Sequence, residues 1–133
     1  MATWADVERI AASLPQTAPG KAWGRPAWTV QDKWFVVDRA PRPDALDPVT
    51  GERMQDLIVL YVEDEQAKQA LSADDSGYFL TTPHFARSRM ILVHLALIPA
   101  EELAEVMTDS WLVRAPKRLA RGFLASRGPQ EAP

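Results

Sequence analysis

The stretch Lys21-Ala22-Trp23-Gly24-Arg25-Pro26-Ala27-Trp28-Thr29-Val30-Gln31-Asp32-Lys33-Trp34-Phe35-Val36-Val37-Asp38 decides the reading of the fold. It holds three of the chain's five tryptophans, Trp23, Trp28 and Trp34. Two runs rich in aromatic and β-branched residues flank a short polar connection, which is the pattern of a β-hairpin. Trp28 and Val30 point to one face and Ala27 and Thr29 to the other. On the return strand Trp34 and Val36 alternate with Phe35 and Val37. The connection around Gln31-Asp32-Lys33 has no Asn-Gly or Asp-Gly pair, so its turn type stays open.

Upstream, Thr3 is an N-cap for a first helix, with Asp6 at the third helical position of a capping box. Val7, Ile10, Ala11 and Leu14 follow at helical spacing. Pro15 ends this helix, and Gln16-Thr17-Ala18-Pro19-Gly20 reads as a loop. Downstream, residues Arg39–Gln55 are polar and rich in Pro and Asp, a loop of unusual length. Asp56–Val62 is a strand whose nearly continuous apolar run suits a sheet centre. Glu63-Asp64-Glu65 opens a helix through about Leu71, and Tyr78–Thr81 and Met90–Leu95 are the remaining strands. Pro99 starts a long helix with a stripe of Leu103, Val106, Met107, Ser110, Trp111 and Val113. Pro116 starts a further helix through about Leu124. The order α-β-β-β-α-β-β-α, plus the C-terminal helix, describes an α+β domain. Its expected architecture is an antiparallel sheet with helices on one face. A single domain over residues 1–127 and a frayed tail over 128–133 are expected.

Composition sets further bounds. The 133 residues fit one domain, and an apolar fraction of 47% supports a core. There is no cysteine, which removes disulfides, thiolate catalysis and Cys-ligated zinc, and suits a cytoplasmic setting. No apolar run reaches the length of a membrane span, and an N-terminus bearing Asp6 and Glu8 is not that of a signal peptide. The net charge of −3 is unevenly placed. Residues 1–109 hold ten basic and 17 acidic residues, whereas Arg114, Lys117, Arg118, Arg121 and Arg127 follow with no acid until Glu131. The chain as a whole is not built as a polyanion binder, although its C-terminal segment could contact one.

Several short motifs recur in a family-like order. Ser13-Leu14-Pro15 ends the first helix; Trp23-Gly24 follows, then a strand beginning Lys33-Trp34-Phe35. Next come Phe79-Leu80-Thr81-Thr82-Pro83-His84-Phe85 and Ile91-Leu92-Val93-His94-Leu95. Glu101-Glu102-Leu103 and the run Asp109–Leu119 complete the set. On these marks the chain resembles the MmcQ/YjbR family of small bacterial proteins. The resemblance implies a two-layer sandwich with a five-stranded antiparallel sheet, akin to the secretion-chaperone-like fold, and a DNA-binding role. The chain departs from the pattern at Arg89-Met90, where many members open the last strand with Trp, and in its longer Arg39–Gln55 loop.

Candidate sites follow from residue chemistry. Exposed Trp beside Lys21, Arg25 and Lys33 could stack on bases; packing in the core is the plainer role, above all for Trp28 and Trp111. Trp23, Trp34 and His84 are candidates for a small-ligand pocket. His84, Arg87 and Arg89 form a basic connector able to meet an anion, although a structural or solvated histidine is commoner. Arg114, Lys117, Arg118 and Arg121 recur at helical spacing and could track phosphates, or simply form a solvated face. No residue falls into a nucleophile elbow, a phosphate loop or a metal-ligand pattern, so no catalytic residue, metal or cofactor is expected. The reading is a non-enzymatic protein that binds nucleic acid weakly through Arg87, Arg89 and the basic C-terminal helix. The alternatives are a protein-interaction module or homodimer, and a small-ligand pocket.

Overall fold

A computed structural model describes residues 2–39, 57–74, 76–81 and 88–131, with side chains at 2–38, 57–74, 76–81 and 88–126. The elements run α1 (Trp4–Ser13), β1 (Thr17–Ala22), β2 (Arg25–Val30), β3 (Lys33–Arg39), β4 (Leu57–Tyr61), α2 (Glu65–Ser72), β5 (Phe79–Leu80), β6 (Met90–His94), α3 (Ala100–Arg114) and α4 (Lys117–Glu131). The strands form one sheet in the order β1-β2-β3-β4-β6-β5, every pair antiparallel. Residues 40–55 of the Pro/Asp-rich loop, and Asp56 at the start of the expected strand, lie outside the described residues. No helix among the described residues is long and apolar enough to cross a membrane.

The sheet has six strands rather than five. The additional one is β1, which covers the residues Thr17–Gly20 expected as loop. Pro19 and Gly20 argue against a central strand, but β1 is the sheet's edge and pairs only with β2. The aromatic stretch is therefore the middle of a three-stranded meander. Both of its turns have two residues at positive φ: Trp23 and Gly24 (53° and 74°), then Gln31 and Asp32 (47° and 71°). With pairs Ala22↔Arg25 and Val30↔Lys33 closing them, these are mirror-image turns whose twist matches the strands. Gln31 tolerates the conformation with its side-chain amide bonded to Gln16 Oε1 at 2.8 Å.

A bulge corrects the expected alternation in β3. Trp28 pairs with Val36 and Thr29 with Trp34, which leaves Phe35 as the extra residue. Phe35 and Val36 both join the main core with Val30, Ile58, Leu60, Ile91 and Val93. Trp34 instead shares the opposite face with Ala27, Val37, Leu57, Val59 and Leu92. Helices α1 and α3 cover the first face with Val7, Ile10, Leu103, Met107 and Trp111. No described helix residue joins the cluster on the second face.

Local chemistry sets the helix limits. Thr3 and Asp6 bond reciprocally as a capping box, and the Thr3 amide holds the Asp6 carboxyl below the usual carboxylate range. Asp64 caps α2 through the Ala67 amide. Pro116 separates α3 from α4. Helix α4 continues past Leu124, and its helical backbone passes Gly128, where a frayed tail is expected, to reach Glu131. Glycine inside a helix weakens it by about 1 kcal/mol relative to alanine without ending it. Trp28 and Trp111 pack as core residues; Trp111 is fully buried and donates Nε1–H to the Pro15 carbonyl at 3.1 Å.

The bulge leaves strand groups that β4 does not meet, and α3 meets them instead. The last β3–β4 pair on this side is Val36↔Leu60. One residue beyond, the buried Ser110 hydroxyl donates to Phe35 O at 2.5 Å and accepts from Tyr61 N–H at 2.9 Å. Arg114, one turn later, donates Nε–H to Trp34 O at 2.8 Å. A helix thus stands in for a strand ladder. Ser110→Ala strands a donor and an acceptor in the interior, which should cost about 2–4 kcal/mol. Urea unfolding should show this as a lower midpoint; a loss below about 0.5 kcal/mol, the scale of a surface change, would contradict it.

Candidate functional site

The opened end of the β3–β4 ladder presents a row of four side chains. Trp23 stands on the β1–β2 turn, with its ring edge-on to Trp34 at 5.2 Å between centroids and 68° between planes. Trp34 lies 4.8 Å from Tyr61, tilted by 45°. The Arg114 guanidinium sits 4.2 Å from the Tyr61 ring centroid and 5.9 Å from that of Trp34. Each contact has a backbone cause. The bulge turns Trp34 onto the second face, Tyr61 ends β4, and the Arg114–Trp34 carbonyl bond fixes the cation. Cation–π attraction at such a partly covered site stabilises by about 0.5–2 kcal/mol.

Trp23 differs from its neighbours. It remains 51% exposed, whereas Trp34, Tyr61 and Arg114 are half-buried. It also holds φ at 53°, a region that bulky residues avoid. Such a conformation costs about 1–3 kcal/mol, and the surrounding contacts must offset it. Gly24 accepts its φ of 74° without strain. The chemical capacity of the row is stacking, with a fixed positive charge behind the rings.

The expected site residues separate in space. Trp23, Trp34 and Arg114 come together in the row. Lys117, Arg118 and Arg121 are exposed on α4, and Arg118 lines a shallow hollow with Gln16, Gln31 and Phe123. Arg89 is exposed at the entry to β6, with its guanidinium 3.4 Å from the Glu63 carbonyl. Arg25 pairs with Asp38 across β2 and β3. His84 and Arg87 lie outside the described residues. Arg114 is the last residue of α3, and its guanidinium is committed to the rings rather than to a face shared with α4. His94 turns away from Val93 and Leu95, as strand alternation requires, and its amide bonds to Tyr78 O at 2.8 Å.

A cavity of about 580 Å³ opens between α2, α3 and α4, over Leu60 and Ile91 of the sheet. It is not the pocket expected at Trp23, Trp34 and His84, although Tyr61 borders both places. At the first two of those residues the bulge sets Trp34 against both Trp23 and Tyr61. Asp109 lies at the cavity, where partial desolvation and the Glu105 and Glu63 carboxylates push its carboxyl above the usual range. Nearby, the buried Lys68 donates Nζ–H to Ser88 O at 2.7 Å, and desolvation lowers its pKa. That bond ties α2 to the entry of β6. Among the described residues, no group of three His, Asp or Glu could hold a metal ion.

Two contributors, Tyr61 and Ser110, escape the reading of residue patterns. Tyr61 looks like the end of an apolar strand, and Ser110 is a polar residue within an apolar stripe. That second anomaly is the one signal of a bond to backbone.

Arg114→Ala should lower stability by about 1–3 kcal/mol, from the charged hydrogen bond together with the ring contact. Arg114→Lys should recover only part, since an ammonium has neither the planar face nor the Nε–H at that position. Urea unfolding followed by tryptophan emission would measure both; full recovery by lysine would contradict the geometry.

The YjbR family model matches residues 12–113. Uncharacterized protein Rv2570 of Mycobacterium tuberculosis is 39% identical over 132 residues, covering 96% of this chain and 100% of its own length. Uncharacterized protein Mb2600 of Mycobacterium bovis matches to the same extent. Protein DR2400 of Deinococcus radiodurans, with a DUF419 domain, has a similar fold at a TM-score of 0.62 and 17% identity, covering 96% of this chain and 89% of that one. A Pseudomonas syringae protein reaches the same TM-score at 18% identity, covering 80% and 93%. With a family match over most of its length and relatives aligned nearly end to end, the chain belongs to the YjbR family.

Proposed function

We propose that this chain is a non-enzymatic binding protein whose ligand is single-stranded nucleic acid, stacked on Trp23. The observation that carries this reading is an exposed tryptophan kept in a strained turn and backed by Trp34, Tyr61 and Arg114. Strained backbone conformations cluster at binding and catalytic sites. A base offers the flat π-face that such a row accepts, and stacking is indifferent to sequence.

The charges near the row fit a weak rather than a tight polyanion site. Lys21 and Lys33 are exposed on the two hairpins, and Lys117 opens α4 three residues after Arg114. Three phosphate contacts give a salt slope of roughly −2 for a single strand. This replaces a purely electrostatic track along α4, because Arg114 is turned to the rings.

Tryptophan emission on titration with oligothymidylate at low salt is the test. Quenching should saturate, weaken with salt along that shallow slope, and exceed the response to duplex DNA. Trp23→Gly suits the turn and removes only the ring. Relief of strain and loss of the aromatic pair, each about 1 kcal/mol, nearly cancel in stability. Affinity should still fall by roughly tenfold to a hundredfold, the worth of one stacked base. No quenching at low salt, or unchanged affinity in Trp23→Gly, would overturn the proposal. So would a concentration-dependent dimer that buries Trp23.

A further inference from the structure

The cavity between α2, α3 and α4 is a separate feature. Helix α3 has apolar residues both in the core and along the cavity. Leu103, Met107 and Trp111 enter the core. Val106 and Leu112, packed at the core's margin, line the cavity with Val113, opposite Ala67, Ala70 and Leu71 of α2 and Ala120 and Leu124 of α4. Leu124 is 53% exposed, one of three large apolar side chains left so open among the described residues. About 580 Å³ is the size of a small-molecule site, too small for a folded partner.

Its charge is one-sided. The described lining includes the carboxylates Glu63 and Asp109 and no cation. Glu105, one turn before Asp109, adds a third negative charge. The described cations nearby do not line it. Arg89 meets the Glu63 backbone carbonyl, and Lys68 reaches Ser88 O. Lys117, Arg118 and Arg121 of α4 do not line the cavity, and Glu65 of α2 adds only negative charge. Among the described residues, the result is an apolar trough whose charged lining is acidic.

We propose that this cavity binds a small amphipathic cation, with an apolar body on Val106, Leu112, Ala120 and Leu124 and an ammonium group at Asp109 and Glu63. The apolar lining supplies affinity through burial, and the carboxylates select the sign of the head group. Bound ammonium also relieves the repulsion among Asp109, Glu105 and Glu63. Protonating Asp109 weakens that selection and leaves Glu63 to carry it. Because its carboxyl titrates above the ordinary aspartate range, binding weakens as pH falls through that raised value.

The probe is octylammonium chloride, titrated below its micelle concentration into the 15N-labelled full chain, with 1-octanol and octanoate as comparators. Amides of Val106, Asp109, Leu112, Ala120 and Leu124 should shift and saturate. Octylammonium should bind at least about tenfold more tightly than 1-octanol, and octanoate more weakly than either. Asp109→Asn should remove about tenfold of octylammonium affinity and leave 1-octanol unchanged. Ala70→Trp, at an exposed lining position, should fill the trough and abolish both. Equal binding of octylammonium and 1-octanol would overturn the charged half of the site. Shifts centred on Trp23, or binding that survives Ala70→Trp, would overturn the site itself. Neither result bears on nucleic acid at Trp23.

Discussion

Ser110 bonds two strands to each other from a helix. Its hydroxyl joins Phe35 O to Tyr61 N–H where the bulge in β3 has opened the ladder. A buried donor or acceptor without a partner costs about 1–3 kcal/mol, so an opened ladder in the interior needs such a plug. Once α3 supplies it, Arg114 is carried one turn further to the Trp34 carbonyl and onto the Tyr61 ring. The bulge, the plug and the aromatic row therefore depend on one another. Without the bulge Trp34 would face the helices, and without α3 the widened strands would lose their polar partners.

Much of the architecture is legible in the residue pattern because it is local chemistry. Thr3 with Asp6, Asp64 before α2, and Pro99 and Pro116 around α3 mark helix limits through capping and the missing proline amide. The apolar run within Asp56–Val62 reads as a central strand, and Leu57–Tyr61 is one. The edge strand β1 is hidden because Pro19 and Gly20 carry the composition of a loop, and only its partner β2 overrides that preference. The bulge is equally hidden, since no residue type in Trp34-Phe35-Val36-Val37 announces an extra member.

Three of the row's four members are legible in the sequence; Tyr61 and the assembly are not. Trp23, Trp34 and Arg114 stand out by type, but alternation alone assigns Trp34 the wrong companions. Arg114 reads as part of a basic helical face until the Pro116 break separates it from Lys117, Arg118 and Arg121. The cavity is less visible still. It arises because α4 returns over a face of α3 whose residues look like ordinary core, and because α2 is short and presents Ala67 and Ala70 there. Two features of opposite charge thus share Tyr61: a cationic aromatic row and an acidic apolar trough.

The dependence of the row on the Ser110 plug is tested most directly by hydrogen exchange at the Tyr61 amide. Tyr61 is the last residue of β4, where a strand amide would ordinarily be open to solvent. With its N–H held by a buried hydroxyl, it should exchange only through global unfolding, at the rate of amides in the middle of β4. Exchange as fast as that of a frayed strand end would show that α3 does not stand in for the ladder, and the account of the site built on it would fail.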